Sequence, residues 1–299
     1  MTATATDFHH VGLITHDMEW TIATYERLGF SFVAVPQPRM RLETTVEPDV
    51  FGTRYRTAIF ETNYLEVLPH TDPQAWGWIS QGGGGYSTDN IRGRYEGMCL
   101  MHLATDDIEL LRDRLTAHAV PCDDIRRYQR DIDTPVGPQL MQVLAFSFPH
   151  PGNPEGLIEF AQHLTPELVL QSRHTSHPNG ARRISETIVC AGDPERYARK
   201  YDLYTGQRYG MVDPHYFLVD FGDDTRISVF SPQRIGALYP GCDTPDPGLV
   251  GFVTEVTSLA ATRAHLTSHH VLFTERHGQL VVDPRDSGGN IVIFSEPLE

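Results

Sequence analysis

The chain has 299 residues, of which 40% are hydrophobic and 21% charged, a composition typical of globular proteins with room for two domains. Its 24 Lys and Arg residues against 39 Asp and Glu residues give a net charge of −15, which argues against nucleic acid and anionic membrane surfaces as partners. It has no apolar run near the roughly 20 residues that cross a bilayer, no signal-peptide pattern and no paired cysteine spacing, so we expect a cytoplasmic protein.

The first elements along the chain are predicted to be a strand, a helix and three further strands. FHHVGLIT is the first strand, Asp17 is placed to cap the helix that follows, and Gly29 is placed to end it. FSFVAV, RTAIF and NYLEVL then follow, each rich in aromatic and β-branched residues, as strands are.

The same order of elements recurs three more times. The later copies begin at GMCLMHLAT, ISETIVCAG and LVGFVTEV, with Asp107, Asp193 and Ser258 at the capping position. QGGGG joins the first two copies, and a polar connector containing Pro and Gly separates the second copy from the third. The predicted fold class is therefore α+β, with four βαβββ modules in an N-terminal domain (1–165) and a C-terminal domain (182–299).

Two stretches of the chain carry a resemblance to a known family. HHVGLITHD…YERLGF, followed by FGTRYRTAIFETNYLEVLPH, resembles the first module of the vicinal oxygen chelate superfamily. GLIEFAQHLTPELV…SHPNGARRI is similar to the glyoxalase-like group of that superfamily. The resemblance covers nearly the whole chain and implies paired modules that curve around a divalent metal ion, with ligands from the first and last strand of each module.

In the first module the resemblance implies two metal ligands. The family's first-strand ligand lies seven residues before the Asp that opens the helix, and counting back from Asp17 gives His10. The last-strand ligand is the Glu of NYLEVL, which is Glu66. Because neighbouring side chains on a strand alternate, His9 is expected on the opposite face, and His9 and His16 are expected at the surface.

In the second module one ligand departs from the family's pattern. GLIEFA supplies Glu159, but the seven-residue count from Asp107 falls on Leu100, which cannot bind a metal. His102 lies two residues further along, on the same face by alternation, and is the candidate substitute.

The C-terminal modules offer few donors at the matching positions. These positions hold Glu186, Ser228, Val250 and Ile293, so this half is expected to be degenerate and to serve packing or a binding cleft. The connector histidines, His174 and His177, are expected in a loop.

One or two imidazoles with two carboxylates suit Mn²⁺, Fe²⁺ or Zn²⁺. The resemblance therefore implies a metal-dependent enzyme of the lyase or isomerase type, acting on a small oxygen-bearing organic substrate through a metal-stabilised oxyanion or enediolate. Glu66 and Glu159 are the candidate catalytic bases. Arg54 and Tyr55 are guesses for substrate contacts.

Two alternatives to this function stay open. An extradiol ring-cleaving dioxygenase also has four such modules, but that family places its site in the C-terminal pair, where this chain lacks donors. A non-catalytic protein that binds or sequesters a small molecule is favoured by Leu100 in a ligand's place. A homodimer is one open oligomeric state.

Overall fold

A computed structural model of the protein describes residues 3–35, 39–42, 49–50, 55–69, 96–149 and 152–297. Arg54 and the QGGGG run lie outside the described residues. Within them, two sheets carry the fold, one of ten strands and one of eight.

The strands of the first sheet are β1 (Asp7–Thr15), β2 (Val33–Val35), β3 (Arg39–Leu42), β4 (Asp49–Val50), β5 (Tyr55–Ile59), β6 (Tyr64–Pro69), β7 (Gly97–Ala104), β8 (Arg126–Ile132), β9 (Gln139–Phe146) and β10 (Leu157–His163). Those of the second are β11 (Ala181–Cys190), β12 (Tyr209–Asp213), β13 (Tyr216–Gly222), β14 (Thr225–Phe230), β15 (Gly248–Val256), β16 (Phe273–Arg276), β17 (Gln279–Val282) and β18 (Ile291–Ser295). The strand order is β2-β5-β6-β1-β7-β10-β9-β8-β3-β4 in the first sheet and β12-β13-β14-β11-β15-β18-β17-β16 in the second.

Each module's first strand leads into a helix that a side chain caps. A side-chain oxygen of the predicted cap accepts a hydrogen bond from a backbone N–H in the first turn, which satisfies a donor that has no partner inside the helix. The caps are Asp17, Asp107, Asp193 and Ser258. The described helices are α1 (Met18–Arg27), α2 (Ile108–Ala117), α3 (Pro166–Val169), α4 (Pro194–Thr205), α5 (Pro232–Leu238) and α6 (Leu259–Ser268), with 3-10 turns at Ser172–His174 and Pro284–Asp286. None of them is long and apolar enough to cross a bilayer.

The first sheet curls into a cup. β5 and β8 are separated by six positions in the strand order, yet the guanidinium carbon of Arg130 on β8 lies 5.5 Å from the ring centre of Tyr55 on β5. β3 and β4 were not predicted from the sequence, and β3 pairs with β8 of the second module although it follows β2 at the opposite edge. Four Cα steps, at most roughly 15 Å, join Val35 to Arg39, so the two edges of the sheet lie close together.

The backs of the two sheets share one hydrophobic core. Phe30, which follows α1, stacks on Phe294 of β18 with ring centres 5.7 Å apart, and Phe148 stacks on Tyr204 of α4 at 4.3 Å. The side-chain amide of Asn63 donates to the Ile184 carbonyl and accepts from the Ile184 N–H. The chain passes from one sheet to the other between His163 and Ala181, and the division into domains at 165 and 182 stays a prediction.

The cup of the second sheet is filled by apolar side chains. Ile235 of α5 is fully buried in a cluster with residues of β11, β14, β15, β17 and β18. Leu238 and Tyr239 pack against the same cluster. The second sheet therefore buries apolar groups on its concave face, whereas the first sheet lines its concave face with polar groups.

Candidate metal centre

The four candidate ligands lie on the four central strands of the first sheet. β1 pairs antiparallel with β7, and this register places His10 directly opposite His102. β6 runs parallel to β1 with Glu66 beside Gly12, and β10 runs parallel to β7 with Glu159 beside His102. Side chains directly opposite across an antiparallel pair are close neighbours. The curled sheet therefore brings together residues that are up to 149 positions apart in the chain.

The candidates form two histidine–glutamate pairs that touch each other. Nε2 of His10 lies 3.6 Å from Oε2 of Glu66, and Nδ1 of His102 lies 3.2 Å from Oε2 of Glu159. The ring centres of His10 and His102 are 4.0 Å apart. Both histidines and Glu159 are at most 8% exposed.

His9 is buried beside His10, so the expectation that it points away to the surface is wrong. The pairing steps from Phe8–Leu103 to His10–His102, which leaves His9 as the extra residue of a β-bulge. The bulge breaks alternation and turns both imidazoles to one side. Their Nδ1 atoms are 2.7 Å apart, so one ring donates a hydrogen bond to the other.

His163 is a fourth histidine of the cup that the sequence analysis missed. Its ring stacks on His9 with centres 4.0 Å apart and planes 22° apart. It lies four residues beyond Glu159 on the same strand, so alternation from Glu159 places both on one face. That spacing was a usable signal in GLIEFAQH.

The other histidines of the first module and the connector serve the scaffold or the surface. His16 is exposed, as predicted. His177 lies in the connector loop but is buried, where its Nδ1 accepts from the Ser31 N–H and its Nε2 lies 2.8 Å from the Ile59 carbonyl oxygen. His174 lies in a 3-10 turn.

Burial is the main cause of the pKa shifts of the histidines and of Glu66 in the first cup. It lowers the pKa of His10 and His9 well below the usual range and the pKa of His102 to about 3, so all three imidazoles are neutral at neutral pH. It raises the pKa of Glu66 to about 7, an effect that the positive charge of Arg130 opposes. A neutral imidazole has one N–H and one lone pair, which is the form that binds a metal.

Aromatic and apolar side chains complete the walls. Tyr64 stacks on His10 with ring centres 4.5 Å and planes 8° apart, and burial raises the pKa of Tyr64 well above its usual range. Leu100 is buried over Gly12, where an added Cβ would meet its side chain at 3.1 Å. It belongs to an apolar cluster with Ile14 and Tyr55 that adjoins the polar site.

The types of donor atom in the first cup fit a divalent metal ion. Among the described residues, no three His, Cys, Asp or Glu side chains stand at the spacing of a closed metal site. The buried Nε2 atom of His102 has no hydrogen-bond partner there, which is costly for a polar atom unless another ligand completes it. Two imidazoles and two carboxylates suit Mn²⁺, Fe²⁺ or Zn²⁺. His10, Glu66, His102 and Glu159 are therefore the residues that would hold the ion.

The matching positions of the second sheet make internal contacts. Glu186 forms an ion pair with Arg226 at 2.6 Å, and the Ser228 hydroxyl lies 3.2 Å from the Tyr216 hydroxyl. Val250 and Ile293 are buried in the cluster that α5 covers.

The comparison with known families decides the affiliation of the chain. The family model of the glyoxalase-like domain matches residues 8–205. The chain belongs to this glyoxalase-like family. The match covers the first sheet from Phe8 onward, so both histidine–glutamate pairs of this glyoxalase-like chain lie inside it. No curated protein sequence matches the chain.

Solved structures share the fold of the glyoxalase-like chain over nearly its whole length. A hypothetical protein from Staphylococcus aureus superposes with a TM-score of 0.66 at 13% identity, covering 97% of this chain and 99% of its own. The Mn(II)-bound glyoxalase from Novosphingobium aromaticivorans superposes at 0.56 and 12% identity, covering 99% and 84%. A mutant of 4-hydroxymandelate synthase from Streptomyces coelicolor superposes at 0.55 and 12% identity, covering 97% and 92%. At these identities the likeness shows the fold, and it confirms the predicted α+β architecture of vicinal oxygen chelate modules.

Proposed function

We propose that this glyoxalase-like protein is a metal-dependent enzyme of the lyase or isomerase type that acts on a small oxygen-bearing organic molecule. The observation that carries the proposal is the contact between two buried histidine–glutamate pairs at the centre of the first sheet. A buried carboxylate is unfavourable unless it is protonated, paired or bound to a metal, so two carboxyl groups in one cup favour a bound cation. The Mn(II) of a glyoxalase with the same fold supports this assignment.

The residues of the first cup have three proposed roles, which are to hold the metal ion, to orient its ligands and to transfer a proton. A divalent ion held by His10, Glu66, His102 and Glu159 would act as a Lewis acid that stabilises an oxyanion or enediolate. His9 contacts Nδ1 of His10, so a proton on that atom leaves the Nε2 lone pair facing Glu66 and the centre of the cup. Glu66 is a candidate general base, and burial raises its pKa to about 7 in the metal-free site. Glu159 is the second candidate base.

The remaining expectations accompany this proposal. The partner is a small molecule rather than nucleic acid or a membrane, and the protein acts in the cytoplasm as a monomer or a homodimer. A ring-cleaving dioxygenase is the second candidate, since extradiol dioxygenases also have four such modules. A binding protein without catalysis is the third, since Leu100 lies where the family has a ligand.

Mn²⁺ titration of matched variants tests the proposal. Glu159→Gln removes one ligand charge, and we expect its dissociation constant for Mn²⁺, measured by electron paramagnetic resonance, to rise more than about 100-fold. Glu186→Gln is the control, because Glu186 is an equally buried glutamate of the second sheet that is paired with Arg226. If the two variants bind Mn²⁺ equally well, the site is not where we place it.

Once Mn²⁺ binding is established, a substrate screen separates the three functions. Turnover of α-oxo and vicinal-oxygen compounds without oxygen consumption supports the lyase or isomerase. Oxygen consumption with catechols supports the dioxygenase, and tight binding without turnover supports the binding protein.

A further inference from the structure

We propose that Arg130 selects an anionic substrate, so that the molecule bound in the first cup is a small organic acid whose carboxylate pairs with the Arg130 guanidinium. This inference rests on the proposed function, because it concerns the substrate of the same site. Arg130 is not among the site residues predicted from the sequence.

Arg130 lies on the concave side of the first sheet. Its guanidinium carbon is 5.5 Å from the centre of the Tyr55 ring, across the cup from its own strand. Alternation along β8 places Tyr128 on the same face. Burial raises the pKa of Tyr128, and the charge of Glu159 raises it further. The charge of Arg130 is felt at Glu66, where it lowers the pKa, and at His163. Arg130 therefore faces the candidate metal ligands from the opposite wall.

The Arg130 guanidinium faces the Tyr55 ring but has no carboxylate partner among the described residues. In the described part of the chain no carboxylate stands at ion-pair distance from Arg130, and its buried Nε–H has no acceptor. Arg127, on the other face of the same strand, donates from Nη1 to the Gln142 side chain. A guanidinium presents paired donors that match a carboxylate, and a buried donor without an acceptor is unfavourable. A ligand carboxylate would satisfy it.

The charge of the site leads to the same conclusion. Among the described residues, the carboxylates of Glu66 and Glu159 would cancel the charge of a divalent ion, and the guanidinium of Arg130 would add a positive charge to the cup. Arg126, on the same face of β8, adds to this sign rather than opposing it. A neutral substrate would leave that charge uncompensated in a half-enclosed space where electrostatic interactions are strong. An anionic substrate would offset that positive charge.

Lactate and lactamide form a matched pair of probes. Both carry two neighbouring oxygens, but only lactate carries a negative charge. Their binding to the Mn²⁺-loaded protein is measured through the paramagnetic broadening of the ligand methyl resonance in proton NMR, with the metal-free protein as the blank. We expect the wild-type protein to bind lactate at least about tenfold more tightly than lactamide, because the amide loses a charge-assisted hydrogen bond and is also a weaker ligand for the ion than a carboxylate.

Three variants assign that preference to Arg130. Arg130→Gln is expected to bind lactate about tenfold more weakly and lactamide unchanged. Arg127→Gln, which loses the same charge from the outer face of the same strand, is expected to keep the wild-type preference. Arg130→Lys keeps the charge and is expected to retain a preference for lactate, which provides a folded comparison if the glutamine variant is unstable.

The outcomes separate this inference from the proposed function. If the wild-type protein holds Mn²⁺ but binds both probes equally, or if Arg130→Gln keeps the wild-type preference for lactate, the inference is overturned while the metal site stands. If the wild-type protein holds no Mn²⁺, the proposed function is overturned and the inference with it.

Discussion

The protonation of the imidazoles in the first cup is set by burial rather than by ion pairing. His10 and His102 lie beside carboxylates, yet desolvation outweighs that attraction and lowers the pKa of both rings. Protons therefore compete only weakly with a metal ion for the lone pairs of these two rings. Glu66 behaves in the opposite way, because burial raises its pKa to about 7 and its carboxylate must lose a proton to become a ligand.

This difference predicts the proton release that accompanies metal binding. At pH 6 Glu66 is mostly protonated, so Mn²⁺ binding releases close to one proton, whereas at pH 8 it releases almost none. The affinity for Mn²⁺ accordingly rises with pH through about 7. Isothermal titration calorimetry in two buffers of different ionisation enthalpy measures the number of protons. Release of two or more protons at pH 6 would mean that the histidines are charged before the metal binds, which contradicts their burial as neutral rings.

At the scale of elements, the decisive feature is the β-bulge in β1. Alternation correctly places Glu66, His10, His102 and Glu159 toward one another once the strand register is known. It fails at His9, because a bulge inserts one residue into one strand and nothing in FHHVGLIT marks its position. The register of β1 against β7, which makes His102 the neighbour of His10 despite Leu100, also depends on tertiary pairing that the sequence does not display.

The bulge predicts a role for His9 in metal binding. His9→Phe keeps a ring that can stack on His163 but removes the nitrogen that contacts Nδ1 of His10. We expect the dissociation constant for Mn²⁺ to rise about 10- to 100-fold, as is usual when the hydrogen-bond partner of a metal ligand is removed. His16→Phe, at an exposed position of the same segment, serves as the control and should bind as the wild type does. Equal affinity in both variants would show that His9 does not orient His10.

At the scale of the molecule, module order was predictable and module assembly was not. Strand and helix patterns with four correct caps identified the repeat, because caps and alternation are local. The strands β3 and β4 at the far edge of the first sheet, the four-histidine cup and the unpaired guanidinium of Arg130 arise from contacts between distant segments of the described chain. The sequence could supply their residues but not their proximity.

The shared core predicts that the two sheets unfold together. All three tryptophans (Trp20, Trp76 and Trp78) lie in the N-terminal part of the chain, so tryptophan fluorescence reports on that part. Far-ultraviolet circular dichroism reports on the strands of both sheets. Because apolar side chains of both sheets form one buried cluster, the urea transitions followed by the two signals should coincide. Two separated transitions would show that the halves are independent domains with little coupling.

The central claim, that the first cup binds a divalent metal ion through His10, Glu66, His102 and Glu159, is tested most directly by the anomalous scattering of crystals grown with Mn²⁺. We predict one strong anomalous peak in the first sheet, within bonding distance of imidazole nitrogens of His10 and His102 and of carboxylate oxygens of Glu66 and Glu159. A peak between His9 and His163, a peak in the second sheet, or no peak in the first cup would contradict that claim.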